Sequence, residues 1–285
     1  SREERYAMIQ QEQATSNLSV EAWCEALDVS PSGYYAGRER DISPRQQAEA
    51  RLGDEIERVF ADSRRTYRVW LKLRDDGTRT SRKRVERLMR ERGLRSIRAR
   101  KRRVGLTKAG QSAYFVPNRL QQDFHATRKN EKWVTDTTYI PTREGWLYLV
   151  SVMDLFSRQV VGCAMGEHHD ADLATLALDM AIGRARPAAG LIVHSDRGSE
   201  FANAKFHRRA AEAKIRLSMS STGNCYDNAP AESFFATVKL ESIPQDIFPS
   251  RQHARMALFD YIEVFYNRER LHSGIDYARP VSRAA

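Results

Sequence analysis

The chain has 285 residues and a mass of 32.7 kDa, with 41% hydrophobic and 29% charged side chains, enough for one large domain or two modest ones with a sizeable core. It holds no run of 18 apolar residues, which excludes a helical membrane span, and Ser1–Ser19 lacks the apolar segment of a secretory leader. Cys24, Cys163 and Cys225 are too scattered for a disulfide framework or a Cys-based zinc site, so the expected compartment is the reducing cytoplasm.

Lys and Arg number 47 against 37 Asp and Glu, a net charge of +10. The excess sits in the first half. Residues 1–130 carry 29 basic and 18 acidic side chains, and residues 131–285 carry 18 and 19. The densest run, Arg79–Lys108, has 14 basic residues and 2 acidic ones. A helix-forming run this basic fits a polyanion, and nucleic acid is the usual one. A solvated basic face is the plainer alternative. A membrane-surface helix is disfavoured, because the run lacks a wide apolar face.

In chain order, Ser19 caps a predicted helix over Val20–Leu27, with Val20, Trp23, Cys24 and Leu27 on one stripe. Asp28–Ser32 breaks it, and Ser32 caps a second short helix through Tyr34 and Tyr35, giving a helix-turn-helix-like unit over 1–40. Ser43-Pro44 opens a helix to about Ala61, the start of a second helical DNA-binding unit over 41–95. Trp70, Leu71 and Leu73 suggest another helix, stopped near Gly77. Ser81 caps Arg82–Arg92, and Gly93 ends it. Val85, Leu88 and Met89 form its narrow apolar face, while Arg82, Lys83, Arg84 and Arg87 make candidate DNA contacts. Residues 96–130 read as a basic linker, with Arg100, Lys101, Arg102 and Arg103 as further candidate contacts.

From Trp133 the pattern changes to strands. Lys132–Ile140, Trp146–Leu155 and Gln159–Met165, joined by short loops, predict an antiparallel meander. Asp170 or Asp172 caps a helix to about Ala185, then come a strand at Leu191–His194, a helix from Asn203 to Ala213 and a strand at Ile215–Met219. Pro230 opens a helix to Glu241, and Ser250 caps a long helix to about Arg268. The order βββαβαβαα predicts an α/β domain over 131–285, a mixed five-stranded sheet with flanking helices and a C-terminal helix.

Three acids fall where this layout presents them to one site. Asp136 lies mid-strand, Asp196 follows the fourth strand, and Glu232 lies in the first turns of a helix. An Asp in an apolar strand is costly unless paired, and a strand's carboxyl end is where α/β folds bind ligands. Clustered carboxylates suit Mg2+, with Mn2+ as a substitute, rather than zinc. Taken singly, each acid also reads as a turn, cap or ion-pair residue.

The spacing joins them. There are 59 residues between Asp136 and Asp196, and 35 between Asp196 and Glu232. This pattern resembles the DDE transposase and retroviral integrase superfamily. The words His194-Ser195-Asp196-Arg197-Gly198-Ser199-Glu200-Phe201, Gly223–Ala229, Ala231–Phe235 and Phe265–His272 resemble those of bacterial insertion-sequence transposases encoded by the second of two overlapping reading frames. Val29–Tyr35 and Arg82–Leu94 also look like this group. One departure is a short deletion after Arg65-Thr66-Tyr67, which would reorient two helices.

The resemblance implies a ribonuclease-H-like catalytic core with a DDE carboxylate triad, Asp136, Asp196 and Glu232, binding two Mg2+ ions for DNA strand cleavage and transfer at element ends. It implies double-stranded DNA as partner, in the bacterial nucleoid, a homo-oligomer on that DNA, and an upstream helix-turn-helix and zipper segment fused to or acting with this chain. Lys239, seven residues after Glu232, projects from nearly the same helix face and is a candidate phosphate contact, or else an ordinary exposed lysine. Asn224, Tyr226, Asp227 and Asn228 build the adjoining loop, with Asn228 read as a DNA contact. His194 either orients Asp196 or is a satisfied strand-end histidine. His168-His169 reads as loop, Asp154 and Arg158 as a turn ion pair, and Asn267, Arg268 and Arg270 as residues that could meet DNA. The alternatives are a non-specific metal-dependent nuclease on the same fold and a catalytically silent DNA-binding or regulatory protein.

Overall fold

The computed structural model describes residues 2–13, 18–38, 43–64, 68–96, 114–221, 225–243 and 247–284. Arg100, Lys101, Arg102, Arg103, Asn224, the deletion point at Arg65–Tyr67 and the side chain of Tyr226 lie outside the described residues. The chain forms two compact units, Ser1–Ile56 and Glu57–Ala285.

The first unit holds α1 (Arg2–Glu12), α2 (Val20–Ala26), α3 (Pro31–Arg38) and the start of α4 (Pro44–Asp62). Ser19 caps α2 as predicted, accepting from the Ala22 N–H at 3.3 Å. Ser30, not Ser32, caps the next helix, accepting from the Gly33 N–H at 3.0 Å. Ile9, Val20, Cys24 and Tyr34 form a small core. Helix α1 was not predicted, because within a polar segment its buried stripe is little more than Tyr6 and Ile9.

The second unit begins with the end of α4, followed by α5 (Val69–Asp75) and α6 (Arg82–Glu91). Val59, Phe60, Val69, Leu73, Val85 and Leu88 are buried. The Ser81 cap on α6 forms as predicted. Gly77, at φ +93°, adopts the left-handed conformation that ends α5.

The sheet contains β1 (Lys132–Thr142), β2 (Gly145–Asp154), β3 (Val160–Gly166), β4 (Ile192–Ser195) and β5 (Arg216–Met219), in spatial order β3-β2-β1-β4-β5. β1 runs antiparallel to β2 and parallel to β4, and β4 is parallel to β5. The pairing of β1 with β4 ends at Val134 and His194, so the two strands part just before Asp136 and Asp196. That divergence opens the crevice where carboxyl ends of parallel strands present ligand groups.

Helices α7 (Ala171–Ala185) and α8 (Ala204–Glu212) cover one face, over a core with Trp133, Val150, Leu178, Val193 and Phe206. Helices α9 (Ala229–Glu241) and α10 (Arg251–Phe259) cover the other, over Val134, Ile140, Leu149, Phe235 and Leu258. This is the ribonuclease-H-like arrangement expected. The long C-terminal helix is present, but Asp260–Glu269 is π-helical, and its wider turn buries Tyr261, Ile262, Phe265 and Tyr266 together. A short α11 (Pro280–Ala284) ends the described chain.

The stretch read as linker differs from expectation where it is described. The Arg119 N–H donates to Ser218 at 2.8 Å, Asn118 and Gln122 donate to Asp227, and Leu120 is buried in the core. Residues 114–123 therefore lie against the sheet domain, held by polar contacts with residues about a hundred positions away in sequence.

Candidate active site

Asp136 projects from β1 at a half-buried position, and its Oδ1 accepts from the Thr137 N–H at 2.7 Å. Burial pushes its carboxyl well above the usual range, and the charges of Asp196, Glu232 and Glu200 add to the rise. Asp196 sits just past β4, with its Oδ1 fixed by the Gly198 N–H at 2.9 Å. Burial also raises Asp196, and the charge of Glu200 reinforces it. Glu232 stands in the first turn of α9 and is exposed. It is raised by partial desolvation and by Asp196. Asp136 and Glu232 each feel Asp196, whereas Asp196 itself is raised by burial and by Glu200, and all three hold their protons more tightly than an isolated carboxyl.

The acids form an open group. Among the described residues, no three His, Cys, Asp or Glu side chains are grouped closely enough to hold a metal ion as they stand. The donor set is oxygen only, which suits a hard divalent cation, and the mutual repulsion is what such a cation would relieve.

Comparison with known proteins identifies the chain. The family models described as "Integrase core domain" match residues 126–225 and 213–280, and the model "HTH-like domain" matches residues 46–102. The "Insertion element IS600 uncharacterized 31 kDa protein" of Shigella sonnei is 40% identical over 262 residues, covering 91% of this chain and 96% of that protein. "Transposase InsF for insertion sequence IS3A" of Escherichia coli (strain K12) is 39% identical over 277 residues, covering 94% of each. The chain belongs to the bacterial insertion-sequence transposases. Among solved structures, the HTLV-2 integrase catalytic core domain in complex with magnesium resembles this transposase with a TM-score of 0.42 at 17% identity, covering 56% of this chain and 100% of that one.

The loop before α9 is tied to residues 118–122 and to β1. Asp227 is buried and accepts from the Ser221 N–H at 2.7 Å, Asn118 at 2.9 Å and Gln122 at 3.0 Å. Burial alone would raise it, but the hydrogen bonds from Ser221 and Gln122 prevail and hold it below the usual range. Asn228, read as a DNA contact, is instead buried, and its Nδ2 donates to the Thr135 carbonyl at 3.1 Å. It ties the start of α9 to β1 one residue before Asp136. That burial takes it off the surface a DNA strand would touch.

Other expectations also change. His194 is fully buried, with Nδ1 2.8 Å from the Ser218 hydroxyl and Nε2 3.3 Å from that of Ser220. Burial lowers it to about 4, so it is the satisfied strand-end histidine. Asp154 turns its carboxylate to Ser157 and the Asn130 N–H, making the turn by hydrogen bonds. Arg270 is buried in a two-pronged pair with Glu241, at 2.7 and 2.8 Å, and Asn267 bonds the Val160 backbone. Neither faces a DNA surface. In α6, Arg82 pairs with Glu86 and Arg87 with Glu91, while Lys83 is exposed and Arg84 half-buried. Lys239 lies over the Tyr139 ring, 5.0 Å from its centroid.

His169 lies in the loop between β3 and α7, as expected, and its side chain stands 2.6 Å from Glu200, which also accepts from Thr137 at 2.8 Å; this contact is not visible in the sequence. The one hint is the closeness of Glu200 to Asp196 within one motif.

Proposed function

We propose that this transposase cleaves DNA at the ends of its element and transfers the freed ends, using Asp136, Asp196 and Glu232 as metal-holding catalytic residues. The observation that carries the reading is the placement of Asp136 and Asp196 just past the parting of β1 and β4, with Glu232 in the first turn of α9 and the charge of Asp196 reaching both other acids, within an integrase-core family. Two divalent ions, Mg2+ or Mn2+, would supply Lewis-acid activation of water or a 3′-hydroxyl and stabilise the leaving 3′ oxygen.

The chain's own residues do the positioning. Asp136 is fixed by its strand and the Thr137 N–H, and Asp196 by the Gly198 N–H. Glu232, exposed on α9, is free to adjust its rotamer toward the other two. Asn228 fixes the helix that carries it. Lys239 lies about 10 Å further along the same face, where a cation meets the phosphates flanking the scissile bond. Arg82, Lys83, Arg84 and Arg87 on α6, with the Arg100–Arg103 run, supply sequence-independent phosphate contacts. Residues 1–40 and 41–95 act as DNA-binding units, residues 96–130 lead from them to the catalytic domain, with 114–123 lying against it, and 131–285 form that domain. Joining two ends needs two active sites or a handover between ends, so the working form in this reading is a homo-oligomer on DNA, together with an upstream helix-turn-helix and zipper segment.

The test is strand mapping. A supercoiled plasmid carrying the gene with its native flanks is incubated with full-length protein and Mg2+, beside Glu232→Gln. Breaks at two fixed positions with 3′-hydroxyl ends, absent with the variant, are expected. Scattered breaks would mark a nuclease. Identical cleavage by the variant, or none by either protein with the upstream segment supplied, would overturn the reading.

A further inference from the structure

The reading above leaves one further acid, this one buried, without a role. Glu200 is only 3% exposed. Its Oε1 accepts from the Thr137 hydroxyl at 2.8 Å and stands 2.6 Å from His169 Nε2. Thr137 is the neighbour of Asp136 on β1. His169 is held in turn by stacking on Tyr148, with ring centroids 5.4 Å apart and planes 11° apart. Both partners use the same carboxylate oxygen. The other, Oε2, is buried and meets no hydrogen-bond donor among the described residues.

The loop is shaped to hold it there. A Cβ on Gly198 would stand 2.3 Å from Oε2, so only glycine lets the carboxylate lie over this turn. The N–H of the same Gly198 fixes Asp196. The charge of Glu200 reaches both Asp136 and Asp196. A buried carboxylate oxygen that meets no donor is costly until a cation or a donor arrives.

We propose that Glu200 is a fourth carboxylate of the metal-holding group, a positioning residue clamped through Oε1 by Thr137 and His169, with Oε2 left for the divalent ion or its hydration shell. This rests on the reading of Asp136, Asp196 and Glu232 given above. A mere tie between loop and strand would account for the bonds at Oε1 but not for the unsatisfied Oε2.

Calorimetric titration of the full chain with Mn2+, with melting curves in EDTA alongside, separates the two. Glu200→Gln keeps the shape and removes the charge. The expected result is Mn2+ affinity lower by about tenfold or more, with a metal-free melting temperature equal to the parent's or higher. Parent-like affinity overturns the proposal, whether or not melting falls. His169→Gln, at a site with a 41% exposed side chain, is expected to fold and to bind Mn2+ more weakly by a smaller factor. If Glu200→Gln does not fold, His169→Gln decides, and parent-like affinity then overturns the proposal. Asp136→Asn and Glu232→Gln keep the two readings apart. If they bind Mn2+ like the parent, the three-acid reading fails; if they lose binding and Glu200→Gln does not, only the role of Glu200 fails.

Discussion

Lys239 Nζ lies 5.0 Å from the centroid of the Tyr139 ring. Tyr139 is three residues beyond Asp136 on β1, and Lys239 seven beyond Glu232 on α9. The two acid-bearing elements therefore meet again about 10 Å past the acids, through a cation–π contact at an exposed aromatic. Trp146 sits beside Tyr139, with ring centroids 5.2 Å apart, so the lysine is flanked by an open aromatic surface.

Lys239→Ala should weaken binding to element-end DNA about equally for all sequences, and lower the slope of log affinity against log salt by about 1. Binding isotherms at several salt concentrations check this. An unchanged slope would mean that Lys239 makes no phosphate contact.

The raised carboxyls give a signed pH prediction. Asp136 binds its proton more tightly folded than unfolded, so its contribution to stability is full at low pH and is lost as pH rises through its folded value. Asp136→Asn should therefore melt with the parent near pH 4 in EDTA, and about 2–4 °C higher at pH 7. Mg2+ at a hundred times its dissociation constant should stabilise the parent by about 2.7 kcal/mol and the variant much less. Melting curves at both pH values, with and without the ion, give the comparison.

The buried pair Arg270–Glu241 joins the end of α9 to the C-terminal helix, and the Tyr261 hydroxyl donates to the same carboxylate at 2.7 Å. Arg270→Ala should cost about 3–5 kcal/mol in urea unfolding, because it strands a buried charge. Replacing both Arg270 and Glu241 with Met should recover much of that loss, since the desolvation cost disappears with the pair.

Gly162 on β3 lies under α7. A Cβ there would meet the Ala177 carbonyl oxygen at 2.3 Å and the Ala181 nitrogen at 2.7 Å. Gly162→Ala should destabilise by about 1–3 kcal/mol or more, lowering the denaturation midpoint without changing its slope.

The succession of strands and helices along the chain, the helix caps at Ser19, Ser81, Asn203 and Ser250, the choice of Asp170 or Asp172 for α7, and the placement of Asp136, Asp196 and Glu232 on their elements are legible because each depends on local pattern or fixed spacing. What was not legible depends on partners distant in sequence. Thr137 and Glu200 are 63 residues apart, and Arg270 finds Glu241 across 29. Arg270 looked like a DNA contact because an arginine beside a charged helix end carries no sign of the glutamate that buries it. Asn228 looked like one because Asn builds loops and binds DNA equally well, and only the nearness of β1 turns it inward. Helix α1 was missed because its narrow apolar stripe meets α2 and α3 within a polar segment.

The central claim is that Asp136, Asp196 and Glu232 hold a divalent ion together. The most direct measurement replaces Mg2+ with Fe2+ in the full chain, generates hydroxyl radicals at the bound ion with ascorbate and peroxide, and maps the backbone cuts. The account predicts cuts clustered near residues 136, 196 and 232 that disappear when excess Mg2+ competes and in Asp136→Asn. Cuts confined to other positions, or cuts that persist unchanged in that variant, would contradict it.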